Sequence, residues 1–409
     1  MKEKKDVLFF CQFFYPEYVS SATLPFDTAA KLVNAGYRVG VLCGYPKEYS
    51  TETQVLLEED VNGIHIKRMK YVQMKRSNVI GRLMNYLSLT VAAAFHLPYM
   101  KNYKVVIVYS NPPLFPIIAF WAKKLYGIKL MFVAYDLYPE IAVKTYITEK
   151  NSVITKVMNA INKSVYKNAS CVIALSKKMK DFMIKNRPVI EKKVVVIPNW
   201  YEDLSDKYAK IRKENKFAEK YKSKFVISYL GNMGTCQDME TIIECIRSLK
   251  EYKDIQFLFA GHGNKVQYLR EVIRKENLLC ADVYDFLQGD DYHDALAVSD
   301  CSIVSLVEGI SGLCSPSKTY GYMMAGNVIL AIMDDSDIVH DIHKYEIGVA
   351  VKNGEGKKMA EQIVILKNNP QKLARMKENS VKTFKAKYTK DRCTEKYVKV
   401  IDKLIRNKG

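Results

Sequence analysis

Residues 225–250 have the sequence FVISYLGNMGTCQDMETIIECIRSLK, which predicts a strand, a glycine turn and a helix in that order. The apolar run Phe225–Leu230 predicts a buried strand, and Met239–Lys250 predicts a helix. The turn Gly231–Gly234 between them lets backbone N–H groups approach a phosphate, whose charge a helix N-terminus favours. Its spacing matches neither GxGxxG nor GxxxxGK[ST], which argues against NAD-dependent enzymes and P-loop NTPases. A G-x-x-G turn alone is equally typical of a purely structural bend.

Predicted strands and helices alternate on both sides of this unit. Before it, apolar runs predict strands at Val7–Phe13, Arg38–Cys43, Ile64–Met69, Val105–Tyr109, Leu130–Tyr135, Cys171–Leu175 and Val194–Ile197, with helices at Leu24–Asn34, Pro113–Tyr126, Ser152–Asn168 and Lys177–Asn186. After it, strands are predicted at Ile255–Ala260, Val283–Leu287, Ser302–Leu306, Val328–Met333 and Gly348–Val351, with helices at Asn264–Glu276, Pro316–Ala325 and Tyr388–Asn407. Apolar strands alternating with helices indicate an α/β fold whose parallel sheets are covered on both faces.

The alternating pattern runs through twice, so we expect two Rossmann-like, doubly wound domains facing a central cleft. A chain of 409 residues is long enough for two such domains. The expected domains cover residues 1–200 and 201–385, with the polar, Lys-rich stretch Asp203–Lys224 as their connection. Residues 386–409 are expected to form a basic helix that packs back toward the first domain.

The chain is strongly basic, with 63 Lys and Arg, 44 Asp and Glu and a formal net charge of +19. No acidic residue occurs between Val61 and Tyr135, a stretch that holds eleven Lys and Arg. Within it, the cluster KRMKYVQMKR (67–76) leads into an apolar helix predicted over Val79–Met100. This arrangement favours adsorption on an anionic membrane, the alternative being a solvated loop before a core helix. No nucleic-acid-binding motif is found, so nucleic acid is not expected as a partner.

The nine cysteines are odd in number and have no CxxC spacing, so reduced thiols are expected in place of disulfides or a zinc site. The opening residues MKEKKDVLFFCQFFYPE lack the long apolar region and the cleavage site of a signal peptide, which predicts an intracellular protein. The adjacent pairs Asp290-Asp291 and Asp334-Asp335 are more typical of turns than of a metal-binding DxD motif. No metal is expected.

A second informative stretch is VEGISGLCSPSKTYGYMMAGNVILAI, residues 307–332. Ser315 is a good N-cap and Pro316 suits the first helical position, so a helix is predicted to begin there. Ser317 and Lys318 would then place an N–H group and an ammonium at the positive end of that helix, an arrangement that suits a diphosphate. The alternative is a capped helix with a solvent-reaching lysine. His262, in a further glycine turn, is expected to line a cleft and not to act as a base.

Six segments of the chain, in this order, resemble glycosyltransferase family 4 enzymes of the GT-B fold, most of all bacterial surface-polysaccharide transferases of the colanic-acid and N-acetyl-fucosamine type. They are FFYPEYVSSATLPFDTAAKLVNAGYRVGVL (13–42), YSNPPLFPIIAFWAKKLYGIKLMFVAYDLYPE (109–140), VIPNW (196–200), YLGNMGTCQDMETIIE (229–244), FAGHGN (259–264) and EGISGLCSPSKTYGYMMAGNVILA (308–331). The resemblance implies retaining transfer of a sugar from a UDP-sugar to a lipid-linked (polyprenyl-diphosphate) saccharide, for capsule, O-antigen or exopolysaccharide. It also implies a peripheral position on the inner face of the plasma membrane and no cofactor.

The resemblance also implies roles for individual residues. Those expected to take part in catalysis are Lys318, Asp136 and Glu308. Those expected to hold the nucleotide are Gly231, Asn232, Gly234, Gly261, Gly263, Leu287, Ser317, Lys318 and Tyr320, with Leu287 on the nucleobase. Those expected to face the acceptor or the donor sugar are Glu17, Ser20, Ser21, Gly309 and Ile310. From its own sequence context, Asp136 is equally interpreted as the N-cap of a helix near Pro139, and Glu140 poses the same question.

The chain departs from the family pattern at several of these places. The two glutamates of the family's E-x7-E pattern fall on Leu313 and Gly321, and the second normally binds the ribose. The histidine that often precedes the N-domain aspartate is Tyr135. The cations that commonly flank the diphosphate loop are replaced by Asn232 and Gln237, which leaves Lys318 as the main local cation.

The resemblance also implies that the acceptor attacks on the face from which the diphosphate leaves, with the departing phosphate oxygen as base. No carboxylate nucleophile is then required. Two other functions stay open at this point. A non-hydrolysing UDP-sugar epimerase also has twin Rossmann domains. The missing glutamates suit a catalytically silent nucleotide-sugar-binding scaffold at the membrane.

Overall fold

The computed structural model describes residues 3–47, 49–50, 54–74 and 79–406. They form two compact units, each built around its own parallel sheet. Unit 1 holds the described residues of Met1–Asn199, Gly312–Ser315 and Asp391–Gly409, and unit 2 holds Trp200–Ser311 and Pro316–Lys390. The α/β architecture predicted from the alternating pattern is confirmed.

Within its described residues, unit 1 contains an eight-stranded sheet of order β3-β4-β2-β1-β5-β6-β7-β8. The strands are β1 (Lys5–Cys11), β2 (Val39–Gly44), β3 (Glu58–Val61), β4 (Ile64–Met69), β5 (Tyr103–Tyr109), β6 (Lys129–Ala134), β7 (Cys171–Ala174) and β8 (Val194–Val196). The central strands are parallel and almost wholly buried because helices cover both of their faces. The antiparallel edge strand β3 was not predicted. Its residues are mostly polar, and Asn62 and Gly63 form the turn to β4 with positive φ.

The helices of unit 1 cover this sheet and follow the predicted order. They are α1 (Ser20–Asn34), α2 (Val79–Phe95), α3 (Pro116–Tyr126), α4 (Glu140–Lys144), α5 (Val153–Asn168), α6 (Lys177–Asn186) and α15 (Lys390–Arg406), with 3₁₀ helices at Leu97–Asn102 and Glu191–Lys193. The predicted helix Val79–Met100 is thus too long at its C-terminal end, where the 3₁₀ turn with Pro98 follows. The predicted basic cluster lies partly outside the described residues, at Lys75 and Arg76.

Unit 2 contains, among its described residues, a six-stranded parallel sheet of order β11-β10-β9-β12-β13-β14. The strands are β9 (Phe225–Leu230), β10 (Ile255–Ala260), β11 (Ala281–Tyr284), β12 (Cys301–Ser305), β13 (Val328–Ile332) and β14 (Gly348–Val351). The helices are α7 (Tyr208–Lys213), α8 (Met239–Leu249), α9 (Val266–Lys275), α10 (Gly289–Val298), α11 (Lys318–Met324), α12 (Asp337–Tyr345), α13 (Gly356–Lys367) and α14 (Pro370–Lys387), with a 3₁₀ helix at Ser205–Lys207. Four fully buried strands, β9, β10, β12 and β13, form the centre of the core.

The terminal helix α15 belongs to unit 1 and is anchored there by ion pairs and hydrogen bonds. Lys31 of α1 lies 3.2 Å from a carboxylate oxygen of Asp391, and the Lys129 ammonium donates to the Leu404 carbonyl at 2.6 Å. No described helix is both long and apolar enough to cross a bilayer. No group of three or more His, Cys, Asp or Glu side chains suited to a metal ion occurs in the described part of the chain.

Candidate functional site

Two glycine turns follow adjacent strands of unit 2 and pack backbone against backbone. The N–H of Gly231, after β9, donates to the Ala260 carbonyl at the end of β10 (2.8 Å). A side chain at Gly261 would place its Cβ 1.9 Å from the Gly231 carbonyl oxygen, and one at Gly263 would lie 2.4 Å from the Met233 oxygen. Both glycines also have positive φ. Only glycine permits this close approach, so the two turns form one layer of backbone at the carboxyl ends of the strands.

Lys318 reaches this layer from the first residue of α11. Its Nζ lies 3.3 Å from the Asn232 carbonyl oxygen and 3.7 Å from the centroid of the Tyr229 ring. The side chain is half-buried, and no carboxylate among the described residues forms an ion pair with it. Burial lowers the pKa of the Lys318 ammonium to about 7. The site therefore holds a basic group whose charged form is balanced by no carboxylate among the described residues.

Two tyrosines that were not predicted fix this geometry. The buried Tyr322 hydroxyl accepts a hydrogen bond from the Leu230 N–H (2.8 Å) and donates one to the Leu230 carbonyl (2.9 Å). The Tyr229 hydroxyl donates to the Asn232 carbonyl at 2.9 Å. Tyr322 follows Lys318 by one helical turn, so both residues lie on the face of α11 that meets the end of β9. The sequence signal was an aromatic residue four positions after the lysine.

The start of α11 differs from the prediction. The helix begins at Lys318 with Ser317 as its N-cap residue, and not at Pro316 after a Ser315 cap. The predicted position is wrong by two residues because the chain enters through a turn in which the Thr319 N–H donates to the Pro316 carbonyl. Lys318 is therefore the first residue of the helix.

The other residues predicted to hold the nucleotide occupy different surroundings. The Gly234 N–H donates to Gln237 Oε1 at 2.9 Å, which closes the turn after Asn232. Leu287 is half-buried and follows Phe286, whose ring meets that of His262 edge-on with centroids 4.9 Å apart. Tyr320, in contrast, is buried with its ring 4.7 Å from that of Tyr388, which gives it a packing role in unit 2.

The loop after β12 carries the residues predicted to contact the donor sugar. The Gly309 N–H donates to Asp334 Oδ2 at 2.6 Å, and the Val307 N–H donates to the Cys236 carbonyl at 2.9 Å. Glu308 is exposed, whereas Ile310 is buried and anchors the loop. The contact through Cys236 ties this loop to the segment that follows the first glycine turn.

In unit 1, Asp136 follows β6 and is held by two neighbouring side chains. Asn111 Nδ2 donates to Asp136 Oδ2 at 2.6 Å, and the Ser110 hydroxyl accepts the Asp136 N–H at 3.1 Å. Burial raises the pKa of this carboxyl group, an effect that the Asn111 hydrogen bond opposes. The N-cap alternative is wrong, because α4 has Pro139 as its N-cap residue. Glu140 lies in the first turn of α4, where Arg187 pairs with it.

The three residues predicted on the loop after β1 are also in unit 1. Glu17 is buried, and the Phe14 N–H lies 3.4 Å from its Oε2. Its carboxylate is therefore turned into the protein, where it holds the loop. Ser20 and Ser21 are the first two residues of α1, the former exposed and the latter half-buried.

Two family models match the chain, one on either side of the division between the units. The model of Glycosyltransferase Family 4 matches residues 22–203, and that of Glycosyl transferases group 1 matches residues 210–383. The chain belongs to the GT-B glycosyltransferases. The glycine turns, Lys318 and the loop after β12 all fall within the second match, and Asp136 falls within the first.

Relatives of this GT-B chain include two bacterial proteins. It is 27% identical over 236 residues to the probable glycosyltransferase WbjE of Pseudomonas aeruginosa, a match covering 56% of this chain and 57% of WbjE. It is 23% identical over 187 residues to the putative colanic acid biosynthesis glycosyl transferase WcaI of Escherichia coli K12, covering 44% of this chain and 45% of WcaI. The chain thus matches about half the length of these relatives.

Among solved structures, Anabaena Alr3699/HepE in complex with UDP-glucose is similar to this chain with a TM-score of 0.73. The two are 14% identical, and the superposition covers 98% of this chain and 100% of HepE. Since the identity is so low, this likeness shows the GT-B fold alone.

Proposed function

We propose that the chain is a retaining glycosyltransferase that moves a sugar from a UDP-sugar to a lipid-linked saccharide during surface-polysaccharide synthesis. The observation that carries this proposal is Lys318, a half-buried ammonium with no carboxylate partner among the described residues, beside two glycine turns. A diphosphate would supply the negative counter-charge that is missing beside this ammonium. Membership of the GT-B glycosyltransferases supports the reaction class.

The proposed chemistry depends on charge stabilisation at the donor diphosphate. As the bond from the anomeric carbon to the phosphate oxygen breaks, negative charge develops on that oxygen. Lys318, beside the Gly231–Gly234 turn, stabilises this charge where water is partly excluded. The acceptor oxygen attacks the anomeric carbon from the same face, and its proton passes to the departing phosphate oxygen. This route requires neither a metal nor a carboxylate nucleophile, and we propose that both are absent.

Asp136 is proposed to bind the acceptor hydroxyl. One of its oxygens receives the Asn111 amide, which orients the carboxyl group and leaves the other oxygen for a hydroxyl proton. Its raised pKa makes it a better proton acceptor than an exposed aspartate. On the donor side, the loop of Glu308, Gly309 and Ile310 is proposed to face the sugar, with Glu308 as the residue free to contact its hydroxyls.

The finer identity of the substrates draws support from relatives. The UDP-glucose complex of HepE favours a UDP-sugar donor, and the name of WcaI favours a polysaccharide of the colanic-acid class. A polyprenyl-diphosphate acceptor would place the reaction at the inner face of the plasma membrane, which agrees with the basic stretch between Val61 and Tyr135.

The test is a thermal-shift screen over UDP- and GDP-sugars, followed by measurement of nucleotide release with and without a lipid-linked saccharide. We expect one UDP-sugar to stabilise the protein and UDP release to require the acceptor. Isomerisation of the sugar without acceptor would indicate an epimerase, and donor binding without turnover would indicate a scaffold. Either result would overturn the proposal.

A further inference from the structure

Helix α2 is apolar on two opposite faces. Its buried face carries Leu89 and Ala93, which are fully enclosed in unit 1. The opposite face exposes large apolar side chains at helical spacing: Ile80 (67% exposed), Met84, Leu87, Val91 and Phe95 (81%). A helix that is apolar on both faces is normally buried on both, and an exposed apolar face of this size is typical of a binding surface.

The exposed apolar surface continues on two further helices of unit 1. On α3, Trp121 and Leu125 are exposed one turn apart. On α5, Val153, Ile154 and Val157 are exposed around the first turn. Such a grouping is much larger than the single exposed apolar residues that every protein surface has.

These helices lie side by side on one face of the unit 1 sheet. α3 packs against α2 on one side and against α5 on the other. Each of the three connects parallel strands in the same direction across the sheet, and right-handed crossovers put such helices on one face. Their buried sides meet the sheet, so their exposed apolar side chains all point away from it. We call this surface, formed by the exposed residues of α2, α3 and α5, the docking face.

The charge on the three helices of the docking face has a single sign. The three helices contain no Asp or Glu, and their cations are Arg82, Lys123, Lys124, Lys156, Lys163 and Lys167. Lys124, Lys156 and Lys163 are exposed. Two copies of this chain joined through the docking face would bring the same positive charges together, which disfavours a symmetric dimer. An anionic lipid surface satisfies both the apolar residues and the cations.

We propose that the docking face inserts into the headgroup region of an anionic bilayer, with Ile80, Phe95 and Trp121 entering the apolar boundary and the lysines contacting lipid phosphates. This inference names the membrane surface for the proposed function, but it rests on unit 1 alone and does not depend on the donor. A polyprenyl-linked acceptor would be presented at the same boundary.

Tryptophan fluorescence provides a direct test, because the protein has two tryptophans and only Trp121 is exposed (50%), whereas Trp200 is 4% exposed. The full chain is mixed with phosphatidylcholine vesicles with and without phosphatidylglycerol. We expect binding and a blue shift of the emission with phosphatidylglycerol, binding that weakens with salt, and protection of Trp121 from acrylamide. Trp121→Phe should retain binding and lose the shift. Binding without any shift would overturn insertion, and equal binding to both vesicle types would overturn the charge selectivity.

Substitutions then locate the surface. Phe95→Ser combined with Trp121→Ser should weaken vesicle binding at least about tenfold, since two large apolar side chains no longer leave water. The matched control is Leu279→Ser combined with Ile365→Ser, two exposed apolar residues of unit 2, and it should bind as the wild type does. Circular dichroism verifies that each variant is folded. If a variant does not fold, the emission shift of Trp121 in the wild-type protein still tests the proposal. Wild-type vesicle binding by the docking-face variant would overturn the proposal. The proposal would also be overturned if the wild-type protein is a dimer and the docking-face variant is a monomer, because the face would then join two copies of the chain. Nucleotide-sugar binding by both variants shows that the donor site is intact.

Discussion

Replacing Lys318 with alanine should weaken donor binding, and the loss should depend on pH. The free protein holds the Lys318 ammonium half-buried, with a pKa lowered to about 7 from the 10.5 of an ordinary lysine. A bound diphosphate favours the charged form and raises this pKa again. Restoring the pKa in full corresponds to about 4–5 kcal/mol. Because the side chain is only half-buried, we expect about 2–3 kcal/mol, which is the loss of one charge-assisted contact in a closed site.

The sign of the pH dependence follows from proton uptake. Below about pH 7, Lys318 is already charged in the free protein, so wild-type affinity is at its plateau. Above that pH the free protein loses the proton, and donor binding must take it up again. Affinity should then fall by up to about tenfold per pH unit as the pH rises. Lys318→Ala should show a weak, flat profile, so the difference between the two proteins narrows at high pH.

Isothermal titration calorimetry with a nucleotide-sugar measures both effects. The nucleotide-sugar is preferred to UDP because its diphosphate has no proton that titrates near neutral pH. We expect Lys318→Ala to bind about 30- to 150-fold more weakly at pH 6.5, and buffers of different ionisation enthalpy to reveal proton uptake by the wild type at pH 8. Lys318→Arg is the matched control, since it keeps a charge that does not titrate and should remove the pH dependence. A variant that binds within twofold of the wild type, or a flat wild-type profile, would refute the reasoning.

Three further substitutions test the scaffold and the acceptor side. Gly261→Ala should unfold at a lower temperature in a thermal melt, by the equivalent of 2 kcal/mol or more, because its Cβ would lie 1.9 Å from the Gly231 oxygen; an unchanged melt would contradict the close packing of the turns. Tyr322→Phe should cost about 1–3 kcal/mol in denaturant unfolding and weaken donor binding, since both backbone groups of Leu230 lose a buried partner. Asp136→Asn should lower kcat about a hundredfold or more and leave nucleotide-sugar affinity within twofold, and a parallel loss of both would place Asp136 elsewhere in the mechanism.

Much of the fold follows from local patterns in the sequence. The strands β9 and β10 and the helix α6 were predicted residue for residue. In each of them the apolar residues follow a single pattern, and turn residues mark where it ends. The edge strand β3 was missed because its side chains are mostly exposed and give no apolar alternation, although the Asn62-Gly63 turn after it was a usable signal. The helices α13 and α14 were also missed, since their polar faces outweigh the apolar stripe.

Only part of the candidate site could be predicted from the sequence, namely the glycine turns and the lysine near them. Glycines at strand ends and a lysine after a Ser-Pro-Ser run indicate a phosphate site, and these residues do lie together in unit 2. The joint role of Tyr229 and Tyr322 was not predicted, because the two residues are 93 positions apart and the sequence does not show that both bind the end of β9 and its turn. The aromatic residue four positions after Lys318 was a usable signal for Tyr322 alone. The burial of Glu17 was not predicted either, because nothing in its sequence context indicates that its carboxylate is turned into the protein.

The two positions where the family glutamates are missing distinguish an altered site from a decayed one. Leu313 is buried, and its carbonyl accepts the Leu137 N–H at 2.8 Å in unit 1. A Cβ at Gly321 would lie 3.3 Å from the Tyr292 hydroxyl and 3.4 Å from the Tyr201 ring, so aromatic side chains fill the space that a glutamate would need. A site that had lost its function would be free to lose Lys318 as well, because a half-buried cation without a carboxylate partner is costly to fold. The presence of Lys318, next to replacements that pack well, supports a donor site in which the ribose is held by other groups.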